Sequence, residues 1–399
     1  MFGKLTDLAR EWQQWRAFSR LPESRRRLVV YSEGAHDWPH IGPMLESLLA
    51  RYPDEAVTYV SSGKDDPGLS YQHERFLSFC IGTGLVRTLF FQSLRCRLLL
   101  LTLPDIETFH LKRSKVHPVH YVYCFHSINS THTVYRPRAF AHYDTILCVG
   151  PHHVRELRRE EELGLAGHRQ LLEHGSVKLD TVMRLYADSR QRRMTGSTPM
   201  ILLAPSWGIG SFFEDPALLR TMIGRILEEG WECRLRLHPM TRRHRAEEID
   251  RLKEEFSARI EGGAFLIEED LNDNRSLRDA AVMVSDWSGA ATEFAFGLER
   301  PVLFINTPQK VNNPDWPAFG IKGLEDSIRG EIGLILEPSA VDDIVPAITR
   351  LITDDTYAER IRSARDALIF NVNRSAEVGA DHLARLLAES GASAPAALG

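Results

Sequence analysis

Between Arg27 and Asn306 the chain repeats one pattern: a short apolar run rich in β-branched, aromatic or leucine residues, a polar or glycine turn, then apolar residues at three- and four-residue steps. Short runs alternating with helical stretches mark parallel strands joined by crossover helices, because only a long connection returns the chain to the same end of a sheet. The first series of strand candidates reads RLVVYSEG, AVTYVSS, GLVRTLFF, RLLLLTL, HYVYCFH and DTILCVG, with a helix through 43–51. A second series reads PMILLAP, CRLRLHP, AFLIEE, AAVMVSD and PVLFIN, with helices near 216–229, 243–256 and 289–296. The polar, glycine-containing stretch SRQRRMTGST separates them and places a linker near 189–198. With 399 residues there is chain enough for two domains of ordinary size. The expected fold is therefore α/β, with two Rossmann-like, doubly wound parallel-sheet domains over 21–188 and 198–352 facing a cleft. An amphipathic helix over 1–20 precedes them, and carboxy-terminal helices follow over 353–390.

That amino-terminal helix sets Phe2, Leu5, Leu8, Trp12, Trp15 and Phe18 on one face, with Lys4, Arg10, Arg16 and Arg20 on others. Two placements fit it: docked on the protein's own surface, or lying in a membrane interface with its tryptophans at headgroup depth. The longest apolar run, around Leu98–Leu101, is far short of the roughly 20 residues of a membrane span, and the amino terminus lacks the apolar core of a secretory signal. The expectation is a cytoplasmic protein with peripheral contact on the inner face of the membrane. A formal charge of -5 argues against a broad nucleic-acid surface. Cys80, Cys96, Cys124, Cys148 and Cys233 show neither CxxC pairing nor zinc spacing and read as packed free thiols.

Neither GxGxxG after the first strand nor GxxxxGK[ST] is present, so the usual phosphate cradles of dinucleotide redox and P-loop chemistry are missing. No Asp-x-Asp at a strand end and no HExxH calls for a metal, and no cofactor is expected. What remains is a set of strand-end residues in the second half. Pro205, Ser206 and Trp207 follow ILLA, His238 and Pro239 follow RLRL, and Ser285, Asp286 and Ser288 follow AVMV. Parallel strands bring their carboxyl ends to one edge, so backbone N–H groups, hydroxyls and an imidazole converge there on an anion. Ser288 and Gly289 open a helix whose free N–H groups suit a pyrophosphate; a plain helix cap explains them equally well. Arg236 reads as a salt-bridged support or a second phosphate ligand. In the first half, His126 follows a strand and precedes Ser127, Ser130 and His132, a polar loop fit for a hydroxylated acceptor; the histidine reads as its general base or, equally, as a loop histidine bonded to backbone. Glu33, after the first strand, reads as base, acceptor ligand or helix cap.

The ordered set of segments resembles the CDP-glycerol glycerophosphotransferase family of teichoic-acid synthesis, which is related to the CDP-ribitol ribitolphosphotransferases. It comprises His126, the turn Gly175 to Asp180, Pro205 and Ser206, then Arg236, His238 and Pro239, and finally Ser285, Asp286, Ser288, Glu293 and Pro301. The resemblance covers roughly 118–310 and implies a GT-B fold, metal-free chemistry, His126 as catalytic base, and donor pyrophosphate held by His238 and the serines. It departs from the family at Ser127 and Asn129, where glycine and proline are usual, and at Gly289, where a second serine is usual. The implied partners are a CDP-glycerol or CDP-ribitol donor and a glycan or lipid-linked acceptor in cell-surface polymer or capsule synthesis. Two other functions remain open: a GT-B glycosyltransferase using a nucleotide sugar, and a non-catalytic nucleotide-binding protein.

Overall fold

The computed structural model describes residues 2–109, 111–187, 198–269 and 274–392. The expected linker, apart from its last residue, lies outside them, as does most of the tail. The chain forms two compact units. Unit 1 comprises Met1–Ser127, Tyr135–Thr181 and Ile369–Gly399, and unit 2 comprises Ile128–Val134 and Val182–Leu368.

Unit 1 holds seven strands: β1 (Leu28–Ser32), β2 (Val57–Ser61), β3 (Phe76–Cys80), β4 (Leu98–Leu101), β5 (His120–Cys124), β6 (Thr145–Cys148) and β7 (Gln170–Glu173). Their order is β3-β2-β1-β4-β5-β6-β7, with every pair parallel. Unit 2 holds β8 (Met200–Ala204), β9 (Glu232–Leu235), β10 (Phe265–Ile267), β11 (Val282–Ser285), β12 (Val302–Ile305) and β13 (Gly333–Leu336). They are ordered β10-β9-β8-β11-β12-β13, again all parallel. Strand order reverses between β1 and β4 and between β8 and β11, so each unit has its topological switch point at the carboxyl ends of that pair.

The central strands are apolar on both faces because helices cover both faces: β1, β2, β4 and β6 are buried along their whole length. One core cluster joins Leu28, Val30, Leu98 and Leu100 to Ile41, Leu45 and Leu48 of the helix Trp38–Arg51 and to Leu383 and Leu387 of the helix Ser375–Ala392. The helices expected after 352 therefore divide: Thr356–Leu368 falls in unit 2, whereas Ser375–Ala392 packs in unit 1.

GLVRTLFF, read as a strand, is the helix Leu85–Ser93. Its buried residues Val86, Phe90 and Phe91 lie on one helical face, and the aromatic run imitated a strand only because the period was too short to decide. The expected amino-terminal helix is present as Phe2–Ser19. It docks on unit 1 through Phe18, which is 3% exposed and meets Phe79 and Phe90 edge-on at ring separations of 6.0 and 5.2 Å. Asp7 adds a 2.8 Å ion pair to Lys64. Among the described residues no helix is long and apolar enough to cross a membrane.

Candidate active site

In unit 2 the loops after β8 and β11 flank the switch point, and Asp286 binds them together. Its buried carboxylate accepts from the backbone N–H of Ser206 at 2.8 Å, of Phe212 at 3.1 Å and of Trp287 at 2.6 Å. Ser285 donates its hydroxyl to the Ala204 carbonyl at 2.7 Å. Arg236 pairs with Glu268 at 2.5 Å. Asp286, Ser285 and Arg236 thus spend their polar atoms on the scaffold, and Pro205 and Ser206 are buried beneath the same edge.

What the edge presents outward is a smaller set. Proline 239 begins the helix Pro239–His244, and His238 caps it: Nδ1 accepts from the Met240 N–H at 3.1 Å. A neutral imidazole whose Nδ1 accepts carries its proton on Nε2, so the outward nitrogen is a donor. Partial desolvation, and then Lys310, lowers the His238 pKa and favours that neutral form. The ring stacks on Trp207 at 5.7 Å, and the Lys310 ammonium sits 4.2 Å from the same indole. Ser288 caps the helix Gly289–Leu298 by accepting from Ala290 N–H at 3.3 Å, which leaves its hydroxyl proton to donate. At Gly289 a Cβ would stand 3.2 Å from the amide atoms of Asn129, so a serine there would press on that side chain.

Unit 1 repeats the device. Asp37, 2% exposed, accepts from Thr102 Oγ1 at 2.7 Å and from Glu33 N–H at 2.7 Å, bridging the loops after β1 and β4 across the switch point. His126, after β5, has Nδ1 3.1 Å from the Thr102 carbonyl. A carbonyl only accepts, so Nδ1 carries the proton and Nε2 holds a lone pair. Burial lowers the His126 pKa, an effect opposed by Asp37 and keeping the ring neutral near pH 7. Burial, and then Asp37, raises that of Glu33, whose carboxylate lies 3.7 Å from Arg87.

The acceptor-loop residues expected in the first half do not stay together. Glu33, His126 and Ser127 belong to unit 1, but Ser130 and His132 fold into unit 2. Ser130 accepts from Leu324 N–H through Oγ at 2.5 Å and gives its own N–H to Glu325 at 2.8 Å, capping the helix Leu324–Ile332. His132, 3% exposed, has Nε2 3.2 Å from the Ile321 carbonyl and lies against Phe319. Both are buried within unit 2 and bonded to its backbone, which corrects their reading as residues facing an acceptor. The turn Gly175 to Asp180 is also structural: Asp180 accepts from Asn373 and Ser375 N–H at 2.7 and 2.8 Å, where the helix Ser375–Ala392 begins.

Sequence reasoning missed Lys310, Thr102 and Asp37. Lys310 sits in a loop after β12, and its position at the same sheet edge was its only signal. Asp37 followed the first strand, but its tie to Thr102 spans 65 positions of sequence. Among the described residues no group of three or more histidine, cysteine or acidic side chains stands together as a metal site.

No family model and no curated protein matches the chain. Among solved structures, the wall teichoic acid polymerase TagF aligns over 97% of this chain and 96% of its own, with a TM-score of 0.59 and 14% identity. A TagF variant soaked with CDPG aligns at a TM-score of 0.56 and 13% identity, covering 97% and 96%. UDP-GlcNAc 2-epimerase from Methanocaldococcus jannaschii, in complex with UDP-GlcNAc and UDP, aligns at 0.56 and 10%, covering 91% of this chain and 99% of that one. At such identities the likeness is one of fold. The chain has the GT-B fold, two parallel-sheet α/β units built as in the teichoic acid polymerase TagF and the nucleotide-sugar epimerases.

Proposed function

We propose that this protein transfers glycerol phosphate, or a similar polyol phosphate, from a CDP-activated donor to a hydroxyl of a glycan or lipid-linked acceptor. The observation that carries the reading is the opposite tautomers of the two strand-end histidines. His126, fixed by Thr102, offers a lone pair on Nε2, as a base requires; His238, fixed by Met240, offers an N–H, as an anionic oxygen requires. His126 takes the acceptor's hydroxyl proton, the oxygen attacks the donor's distal phosphorus, and the bond from that phosphorus to the bridging oxygen breaks. CMP leaves with the electron pair. Charge on the transferring phosphoryl group and on CMP is met by His238, Lys310, the Ser288 hydroxyl and the positive end of the helix Gly289–Leu298.

Fold alone does not separate this reaction from glycosyl transfer. The test is to incubate the purified protein with an acceptor and, in turn, CDP-glycerol, CDP-ribitol and several nucleotide sugars, following the nucleotide released. CMP from a CDP-polyol is the expected product. Release of a nucleoside diphosphate from a sugar donor, with CDP-polyols inert, would replace the reading by a glycosyltransferase. Binding without turnover of any donor would leave a nucleotide-binding protein.

A further inference from the structure

At the amino ends of the unit 1 strands, the opposite edge from His126, a cavity of about 850 Å³ is lined by Arg26, Arg27, Arg95, Arg97 and Arg113, with His117 and His120. Strands rise about 3.3 Å per residue, so this edge stands roughly 15 Å from the strand ends that carry the candidate site. The arginines are brought together by the sheet itself. Arg97 N–H donates to the Arg26 carbonyl at 3.3 Å and His120 N–H to the Arg97 carbonyl at 3.0 Å, which sets the residues preceding β1 and β4 beside the first residue of β5.

Their partners are uneven. Arg113 is satisfied by a two-pronged pair with Asp144 at 2.8 and 3.2 Å, and Arg27 pairs with Glu55 at 3.1 Å. Among the described residues the Arg97 guanidinium bonds only the Leu387 carbonyl, at 3.2 Å, and Arg26 buries Nε with no hydrogen-bond partner. For Arg26, Arg95 and Arg97 no described carboxylate lies within ion-pair distance. Glu23 and Glu389 also line the cavity, and Glu389 lies 3.9 Å from Arg385. Three guanidinium groups without an ion pair thus line one half-enclosed space, where a multiply charged anion finds paired N–H donors.

We propose that this cavity is a second binding site, taking a phosphorylated ligand with two or more negative charges. The arginine fork matches phosphate oxygens two at a time, and the volume admits a diphosphate or a phosphodiester with its substituents. A free phosphorylated molecule and the headgroup of an anionic lipid supply the same chemistry.

The test uses the full chain at near-physiological salt. Inorganic pyrophosphate is titrated calorimetrically into the wild type, Arg95→Glu and Lys310→Ala. Arg95 is exposed and makes no structural hydrogen bond, so its charge reversal leaves the fold intact, which circular dichroism checks. In parallel, sedimentation is measured with vesicles of phosphatidylcholine alone and with added phosphatidylglycerol. Pyrophosphate affinity that falls about tenfold or more in Arg95→Glu, and survives Lys310→Ala, supports the site with a free ligand. Phosphatidylglycerol-dependent sedimentation lost in Arg95→Glu, without pyrophosphate binding, supports it with the headgroup as the source. The proposal is overturned if Arg95→Glu changes neither measurement, or if Lys310→Ala alone removes pyrophosphate binding.

Discussion

At the scale of single residues, what decides chemistry here is which nitrogen of a histidine the backbone has already claimed. His126 and His238 are the same side chain at the ends of parallel strands, yet the Thr102 carbonyl fixes one as a lone-pair donor and the Met240 N–H fixes the other as a proton donor. Under the proposed function, His126→Ala retains donor binding but loses on the order of 10² to 10⁴ in turnover, whereas His238→Ala weakens donor binding by about tenfold or more. Calorimetry with CDP-glycerol on each variant, beside turnover, separates them; donor binding lost only in His126→Ala would reverse the assignment. Asp286 is a different case. Its carboxylate satisfies three backbone N–H groups, so Asp286→Ala orphans all three and is expected to cost about 3 kcal/mol or more of stability. A denaturation midpoint within experimental error of wild type would show that the loops after β8 and β11 are held by something else.

At the scale of elements, the amino-terminal helix shows how a face acquires a partner. Its apolar stripe was legible as helical spacing, but that Phe18 is the residue of it packed into unit 1 depended on Phe79 and Phe90, far along the chain. Phe18→Ala opens a cavity between those rings and is expected to destabilise unit 1 by about 3 to 5 kcal/mol. The check is urea unfolding followed by tryptophan fluorescence. A loss below about 1 kcal/mol would mean that the helix rests loosely on the surface. The short segment Ile128–Val134 makes the complementary point: it continues directly from the loop after β5, yet it belongs to unit 2, where Ser130 accepts from Leu324 N–H and donates its own N–H to the Glu325 carboxylate.

At the scale of the whole molecule, desolvated histidines give the fold a shared response to acid. Burial of His40 and His174, and partial desolvation of His120, His126, His238 and His382, lower their pKa values, with His174 brought down to about 3. In the unfolded chain each returns to its ordinary value near 6.5, so below that pH the unfolded state binds more protons than the folded one. Stability is therefore full above about pH 6.5 and declines as pH falls towards the lowered folded values. Each such group contributes up to about 1.4 kcal/mol per pH unit in that window. Glu33 and Asp105, whose carboxyls burial pushes up, act in the opposite sense at the lower end. Urea midpoints measured at pH 7, 6 and 5 should fall in that order, and a constant midpoint would contradict the burial of these rings.

The sequence by itself determined the α/β class, the two sheets and most of their strands, because period and turn chemistry are local properties that survive without neighbours. It also placed His126, His238 and the Ser285 to Gly289 segment at strand ends, since each parallel sheet brings its own strand ends to one edge whatever else the chain does. Tertiary structure alone decided how each of these residues is used. Whether a polar atom faces a ligand or a backbone group depends on partners that are distant in sequence: Thr102 for Asp37, Ser206 for Asp286, Glu268 for Arg236, Leu324 for Ser130. Burial makes an unpaired polar group costly, so the fold claims the nearest hydroxyls and carboxylates for its own N–H groups, and only those left over remain for chemistry.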